Sequence, residues 1–252
     1  MEVSDASGKR EEEFPPWYDA RRTANARVLL IGTGSLGSRV AAALPGKGFR
    51  RVLMVDPGTV GKDDIGHLAH IRESDIGSYR SEAVARRTAE DTGCPGFSSV
   101  AGDVRRLEGW NFEVIIGCTG DAAVRLFANS RACQYRIPYI DVSADGMRGK
   151  IQTVLPGGPC AECGMDRFRT RALDARPSAE RPARKMRPDA GSAGALAEMA
   201  SEEALRIACG RQDLCARGML YYDGKDGSVS IIRMDIDPRC PNHSKAEVWK
   251  RT

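Results

Sequence analysis

The stretch "RVLLIGTGSLGS", residues 27–38, decides the fold. An apolar run of strand length is followed at once by Gly32-x-Gly34-x-x-Gly37, and residues with helical spacing come next. Glycines in such a turn let backbone N–H groups approach phosphates at a helix N-terminus. Gly32, Gly34, Ser35 and Gly37 are therefore candidate nucleotide contacts. Asp56 closes the next predicted strand, where a carboxylate can accept hydrogen bonds from ribose hydroxyls. The pattern does not name the nucleotide, because an NAD-dependent dehydrogenase and an ATP-using enzyme share it.

Outward from this point, strands and helices alternate. Strands are predicted at 27–32, 50–56, 98–104, 112–119 and 138–144, with helical spacing at 37–44, about 78–91 and 121–135. Short apolar strands separated by helices imply a parallel sheet covered on both faces. The pattern then changes: 148–156, 218–223 and 228–236 read as antiparallel strands, the last two joined around "GKDG", and form a second sheet region. The helix predicted at 192–209 is rich in small residues, which suits close packing against a neighbour.

The expected class is α/β, a doubly wound, Rossmann-like and mostly parallel sheet with a C-terminal antiparallel strand region and a structural zinc site. Residues 1–25 read as an N-terminal arm, 26–147 as the nucleotide-binding domain and 148–252 as a zinc-containing region for partner or substrate. Within the last, 166–189 is basic and proline-containing without core periodicity, and reads as a long exposed mobile loop.

Composition narrows the functional class. Charged residues make up 29% and hydrophobic ones 41%, and the formal net charge is only +4, which gives no reason to expect a nucleic-acid partner. No run approaches the roughly 18 apolar residues of a membrane helix. The start is polar and acidic where a signal peptide would be apolar, so no membrane association and a cytoplasmic location are expected. In that compartment thiols stay reduced, and the eight cysteines read as core residues, metal ligands or catalytic thiols. Cys94, Cys118, Cys133 and Cys209 lie in or beside apolar runs and suit the core.

Two cysteines ask for more. Cys160 and Cys163, in "GPCAECGM", could be a redox pair or half of a metal site. Near the C-terminus "RCPNHSK" adds Cys240 and His243. The four make a C-x-x-C and C-x-x-H set suited to a closed tetrahedral Zn²⁺ site, which leaves no open position for water and is structural. A redox pair would instead follow a first strand and begin a helix, which this one does not.

Taken in order, "VLLIGTGSLGS", "RVLMVDPGTV", "DIGSYRSEAVA", "IIGCTGDAAVR", "IPYIDVSADGMRGKIQTVLPGGPCAEC", "LYYDG" and "DPRCPNH" resemble the ThiF/MoeB/HesA family, bacterial relatives of ubiquitin-activating enzymes. The resemblance runs from about residue 14 to 245. It implies an ATP-binding homodimer that activates the C-terminal carboxylate of a small ubiquitin-like or sulfur-carrier protein, or of a peptide. The carboxylate attacks the α-phosphate of MgATP, giving an acyl-adenylate and pyrophosphate. Cations must offset the charge on the phosphates, and Mg²⁺ needs at least one carboxylate.

At those very positions the chain departs from the family. The family's Asn-x-Asn-Arg-Gln lies over "DIGHL", so its arginine becomes His67 and its glutamine Leu68. Its second lysine of Gly-Lys-x-Lys becomes Arg80. Its Asp-x-x-Asp falls on Gly117 and Gly120, leaving Asp121 offset by one, either to hold magnesium or to cap the following helix. His67, Arg80 and Asp121 are the candidate catalytic residues, with Arg80 also a nucleotide contact; His70, Arg72, Arg21 and Arg22 are further possible charges. Two other functions stay open: a member that binds nucleotide or partner without adenylating, and an NAD(P)-dependent oxidoreductase.

Overall fold

Along β1 (Arg27–Ile31), Val28 and Leu30 enter one apolar cluster while Leu29 and Ile31 enter another, and all four are buried. Strand side chains alternate across the sheet, so a run with no polar member must be covered on both faces. The structure, a computed structural model, describes residues 14–164 and 187–244 and shows that cover.

Parallel to β1 run β2 (Arg51–Asp56), β3 (Phe97–Ala101), β4 (Val114–Gly117) and β5 (Tyr139–Asp145). Three antiparallel strands follow, β6 (Arg148–Val154), β7 (Met219–Asp223) and β8 (Ser228–Ile232). The order is β3-β2-β1-β4-β5-β6-β7-β8 in one sheet. The antiparallel strands expected as a second region thus extend the first sheet. Their reason is local: β5 turns back through Gly146 and Met147, pairing Asp145 with Arg148, so β6 takes up the free edge of β5.

One face carries α2 (Ser35–Ala43), α3 (Arg80–Thr92) and α5 (Ala190–Ala208), packed on Val28, Leu30, Met54, Ile116 and Ile140. Ala193, Ala197, Ala200 and Ala204 are all buried along α5, and with no bulk there α5 lies directly against α2. The other face holds α4 (Ala122–Tyr135) over Leu29, Ile31, Ile115 and Tyr139. Cys160, Ala161 and Cys240 complete that cluster, so irregular chain covers sheet where a second helix would otherwise lie.

Part of the expected arm is built into the domain. In α1 (Ala20–Asn25) Thr23 Oγ1 is 3.4 Å from Cys209 Sγ, and Arg22 Nη1 donates to the Cys209 carbonyl at 3.3 Å. Residues 1–13 of the arm and 166–186 of the basic loop lie outside the described residues; 187–189 lead into α5, with Asp189 as its N-cap. Among the described residues no helix is long and apolar enough to cross a membrane.

Candidate functional site

In a parallel sheet of this order, the chains leaving β1 and β4 diverge to opposite faces and open a crevice at the strands' C-terminal ends. The Gly32–Gly37 turn lies there. Gly32 N–H donates to Val55 O and Cys118 N–H to Ile31 O, which ties the ends of β1, β2 and β4 together. Gly37 is required by close approach: a Cβ there would stand 1.9 Å from the Gly32 carbonyl oxygen. Gly34 is different, with nothing within 4 Å of where its Cβ would be. It is the N-cap of α2 and brings no side chain to cap it, so the first-turn N–H groups are left without a side-chain cap. Thr33 is fully buried, yet its Oγ1 has no partner among the described residues. Open backbone donors and an orphaned hydroxyl suit a phosphate-bearing ligand.

Asp56 accepts from Thr33 N–H at 2.8 Å and from Gly58 N–H at 2.7 Å. Each oxygen therefore shapes a loop, and each keeps a lone pair for a ribose hydroxyl. Arg80 is the first residue of α3, and its Nε and Nη2 each lie 3.0 Å from Asp64 Oδ2. Asp64 is buried and also faces Arg187, whose Nη2 is 3.5 Å from Oδ1; Arg187 Nη1 donates to the Asp63 carbonyl. Neither Asp64 nor Arg187 was singled out in the sequence, where "KDD" and an arginine in a basic run look like solvated surface.

Arg39 was missed as well. Helical side chains lean toward the N-terminus, and from the second turn of α2 its Nη1 reaches the Ser35 carbonyl at 2.9 Å and the His67 carbonyl. A cation four residues after Ser35, on the helix that the glycines open, was the available signal. His67 itself is exposed. Leu68 is 4% exposed and belongs to the core, so it cannot stand in for a polar contact. His70 and Arg72 are both paired with Asp91 near the end of α3, and Arg22 is held by Cys209. The structure does not bring these to the glycine turn.

Of the two positions where the family has aspartate, Gly120 has nothing within 4 Å of where its Cβ would be, whereas Gly117 is closely packed. A Cβ on Gly117 would stand 2.4 Å from the Tyr139 hydroxyl. That hydroxyl donates to Asp141 Oδ1 at 3.0 Å, and Asp141 receives a two-pronged bond from buried Arg125, with Nε at 2.8 Å. Tyr139 and Asp141 fill the space a side chain at 117 would need. Burial, and then the Asp141 charge, push the Cys118 thiol well above its usual range, so the cysteine behind the glycine turn is no nucleophile near neutral pH. Asp121 is exposed and caps α4, its Oδ1 accepting from Ala123 N–H at 2.8 Å and Val124 N–H at 3.2 Å.

Cys160, Cys163, Cys240 and His243 converge with all four ligand atoms within 4.8 Å of one another. Cys160 Sγ lies 3.8 Å from Cys163 Sγ and 3.6 Å from Cys240 Sγ, and Cys163 Sγ lies 3.5 Å from His243 Nδ1. His243 Nε2 is 3.0 Å from the Gly158 carbonyl, so a proton there is satisfied and Nδ1 is left as the ligand. Asn129 Oδ1 accepts from Ala161 N–H, and Asn242 Nδ2 donates to Glu162, fixing both ligand loops. Three soft thiols and one imidazole with an ordered surround fit Zn²⁺.

Comparison with known proteins agrees with this architecture. The sequence profile of the ThiF family matches residues 12–242, and the chain belongs to that family. It is 25% identical over 228 residues to the adenylyltransferase and sulfurtransferase MOCS3 of Caenorhabditis briggsae, covering 86% of this chain and 54% of that protein. The chain thus spans about half the length of that relative. It is 22% identical over 250 residues to protein HesA of Leptolyngbya boryana, covering 96% of this chain and 87% of HesA. Among solved structures, E. coli MccB with ATP superposes with a TM-score of 0.73 at 14% identity, over 88% of this chain and 68% of MccB. That likeness concerns the fold.

Proposed function

We propose that the protein is an ATP-dependent adenylyltransferase that activates the C-terminal carboxylate of a small ubiquitin-like or sulfur-carrier protein, or of a peptide. The observation that carries this is the glycine turn at the end of β1: α2 starts there without a capping side chain, the Thr33 hydroxyl is buried without a partner among the described residues, Arg39 reaches the Ser35 carbonyl, and Arg80 lies beside Gly58 and Asp56. A carboxylate oxygen of the partner bonds to the α-phosphorus of ATP as the bond to the β-phosphate oxygen breaks, and the electron pair leaves on pyrophosphate. Arg80, steered by Asp64, is placed to offset charge on the phosphates, and Asp56 to orient the ribose.

Asp121 is the residue we assign to Mg²⁺. Asp56 and Asp64 are occupied by backbone amides and arginines, whereas the hydrogen bonds to Asp121 fall on Oδ1 and leave Oδ2 without one among the described residues, with only the charge of Arg105 acting on it. When bound, the metal supplies positive charge to the phosphates. The Cys160, Cys163, Cys240 and His243 set holds a structural Zn²⁺ in this reading. A polypeptide partner is supported by β8, an edge strand whose five residues are all exposed, including Val229, Ile231 and Ile232. Assembly as a homodimer rests on the family resemblance.

Two observations favour a second reading, a member that binds nucleotide without adenylating: Leu68 is in the core, and Gly120 offers no carboxylate. ATP–pyrophosphate exchange separates the two. With a carrier protein or short peptide bearing a free C-terminus, exchange is expected, and amidation of that terminus abolishes it. Asp121→Asn, which keeps a capping side chain, should lower exchange at least about tenfold, one factor of 1.4 kcal/mol in barrier. ATP binding with no exchange for any such partner would establish the second reading.

A further inference from the structure

We propose that Arg39 is a phosphate-binding residue of this site, supplying from α2 the cation that the 64–68 segment lacks at His67. The inference rests on the adenylation reading above and extends it to a residue that the glycine pattern does not include. Its ground is how Arg39 is paired by comparison with Arg72, Arg80, Arg125 and Arg187. Arg80 and Arg187 share the Asp64 carboxylate, Arg72 faces Asp91 and Arg125 faces Asp141. Arg39 alone of these is held by neutral carbonyls, those of Ser35 and His67, and has no carboxylate partner among the described residues. Both bonds use Nη1, so Nε and Nη2 remain to donate.

Position adds to this. Ser35 opens α2, so a guanidinium bonded to its carbonyl lies beside the first turn, at the positive end of the helix. A cation there is unfavourable on its own and becomes favourable when an anion shares the site. Nor is Arg39 needed merely to strap the 64–70 segment to α2. Ala69 N–H already donates to Ser38 Oγ at 3.0 Å, His67 and Leu68 N–H both donate to Asp64 O, and the Leu68 side chain is buried. The carbonyl contacts pre-orient the guanidinium without neutralising it, which suits a fork that grips phosphate oxygens.

Calorimetric titration of the full chain with ATP, AMP and adenosine in Mg²⁺ buffer tests this. Arg39→Ala should weaken ATP at least about tenfold, since a charge-assisted hydrogen bond is at stake, while adenosine changes less than about twofold. Arg39→Gln, which can still reach one carbonyl, serves the same comparison should the alanine variant not fold. Equal weakening of ATP and adenosine would show a strap and overturn the proposal, as would unchanged ATP affinity. Wild-type protein that binds ATP in an Arg39-dependent way but catalyses no exchange would overturn the adenylation reading and leave Arg39 in place. Wild-type protein that binds no adenine nucleotide would overturn both.

Discussion

The two ends of this sheet present opposite states of chemical satisfaction. At the Cys160, Cys163, Cys240 and His243 cluster, every ligand atom already converges and the imidazole's second nitrogen has the Gly158 carbonyl. At the glycine turn, among the described residues, Gly34 faces open space, Thr33 Oγ1 is buried without a partner and Arg39 has no carboxylate. A metal held at the first would be enclosed on all sides, whereas a nucleotide reaching the second would meet donors that no described residue fills.

The largest effect should come from breaking the closed end. Cys160, Ala161 and Cys240 pack beside Val154 on the face that α4 also covers, so loss of a metal bound there would loosen that cover. Cys160→Ser should reduce zinc content from about one ion per chain to near none, because a closed tetrahedral site needs all four ligands. The melting temperature should fall by about 10 °C or more, as several kcal/mol of metal-linked folding energy would shift a chain of this size. Treatment of the wild type with a strong chelator should give the same melting curve. A variant that melts with the wild type would show that the cluster carries no fold-holding ion.

The open end should respond in the other way, losing ligand and keeping fold. In Gly34→Ala the new methyl meets no atom of the described residues, so the melting temperature of the free protein should stay within about 2 °C. ATP affinity should drop at least about tenfold, because the methyl enters the space the backbone donors face. Gly37→Ala is the control of opposite sign, since its methyl would collide with the Gly32 carbonyl and distort the turn before any ligand arrives. Normal ATP binding by Gly34→Ala would mean that the phosphates lie elsewhere.

What was legible in the sequence divides along the same line. The strands were readable because Val28 to Ile31 and Val114 to Ile116 are uniformly apolar, and the cluster because cysteine and histidine pairs have few other uses. The number of sheets was not, since whether β6 begins a new sheet or joins β5 depends on a two-residue turn that periodicity does not register. Nor was it legible that Asp64 and Arg187 lie against Arg80. Charged side chains look alike in sequence whether they are solvated or brought to a crevice by the chain's path. Gly117 shows the reverse difficulty: a side chain there would collide with Tyr139, a contact that the local sequence does not register.

Asp121 gives the smallest and most discriminating effect. It belongs to the open end, yet its Oδ1 does structural work by capping α4 through Ala123 and Val124. Removing an N-cap costs about 1 kcal/mol, and replacing aspartate by asparagine costs far less because both accept the same bonds. Asp121→Ala should therefore lower the melting temperature by about 2–4 °C, and Asp121→Asn should leave it nearly unchanged. If capping were the residue's whole role, nucleotide binding and exchange would follow stability, and the asparagine variant would behave as wild type. If Oδ2 also takes Mg²⁺, the two variants part in the melt but fall together in exchange, because neither keeps the charge a hard cation needs. A magnesium titration of exchange in both variants reads this directly: a shared rise in the Mg²⁺ requirement sustains the metal role, and a requirement equal to the wild type in Asp121→Asn removes it.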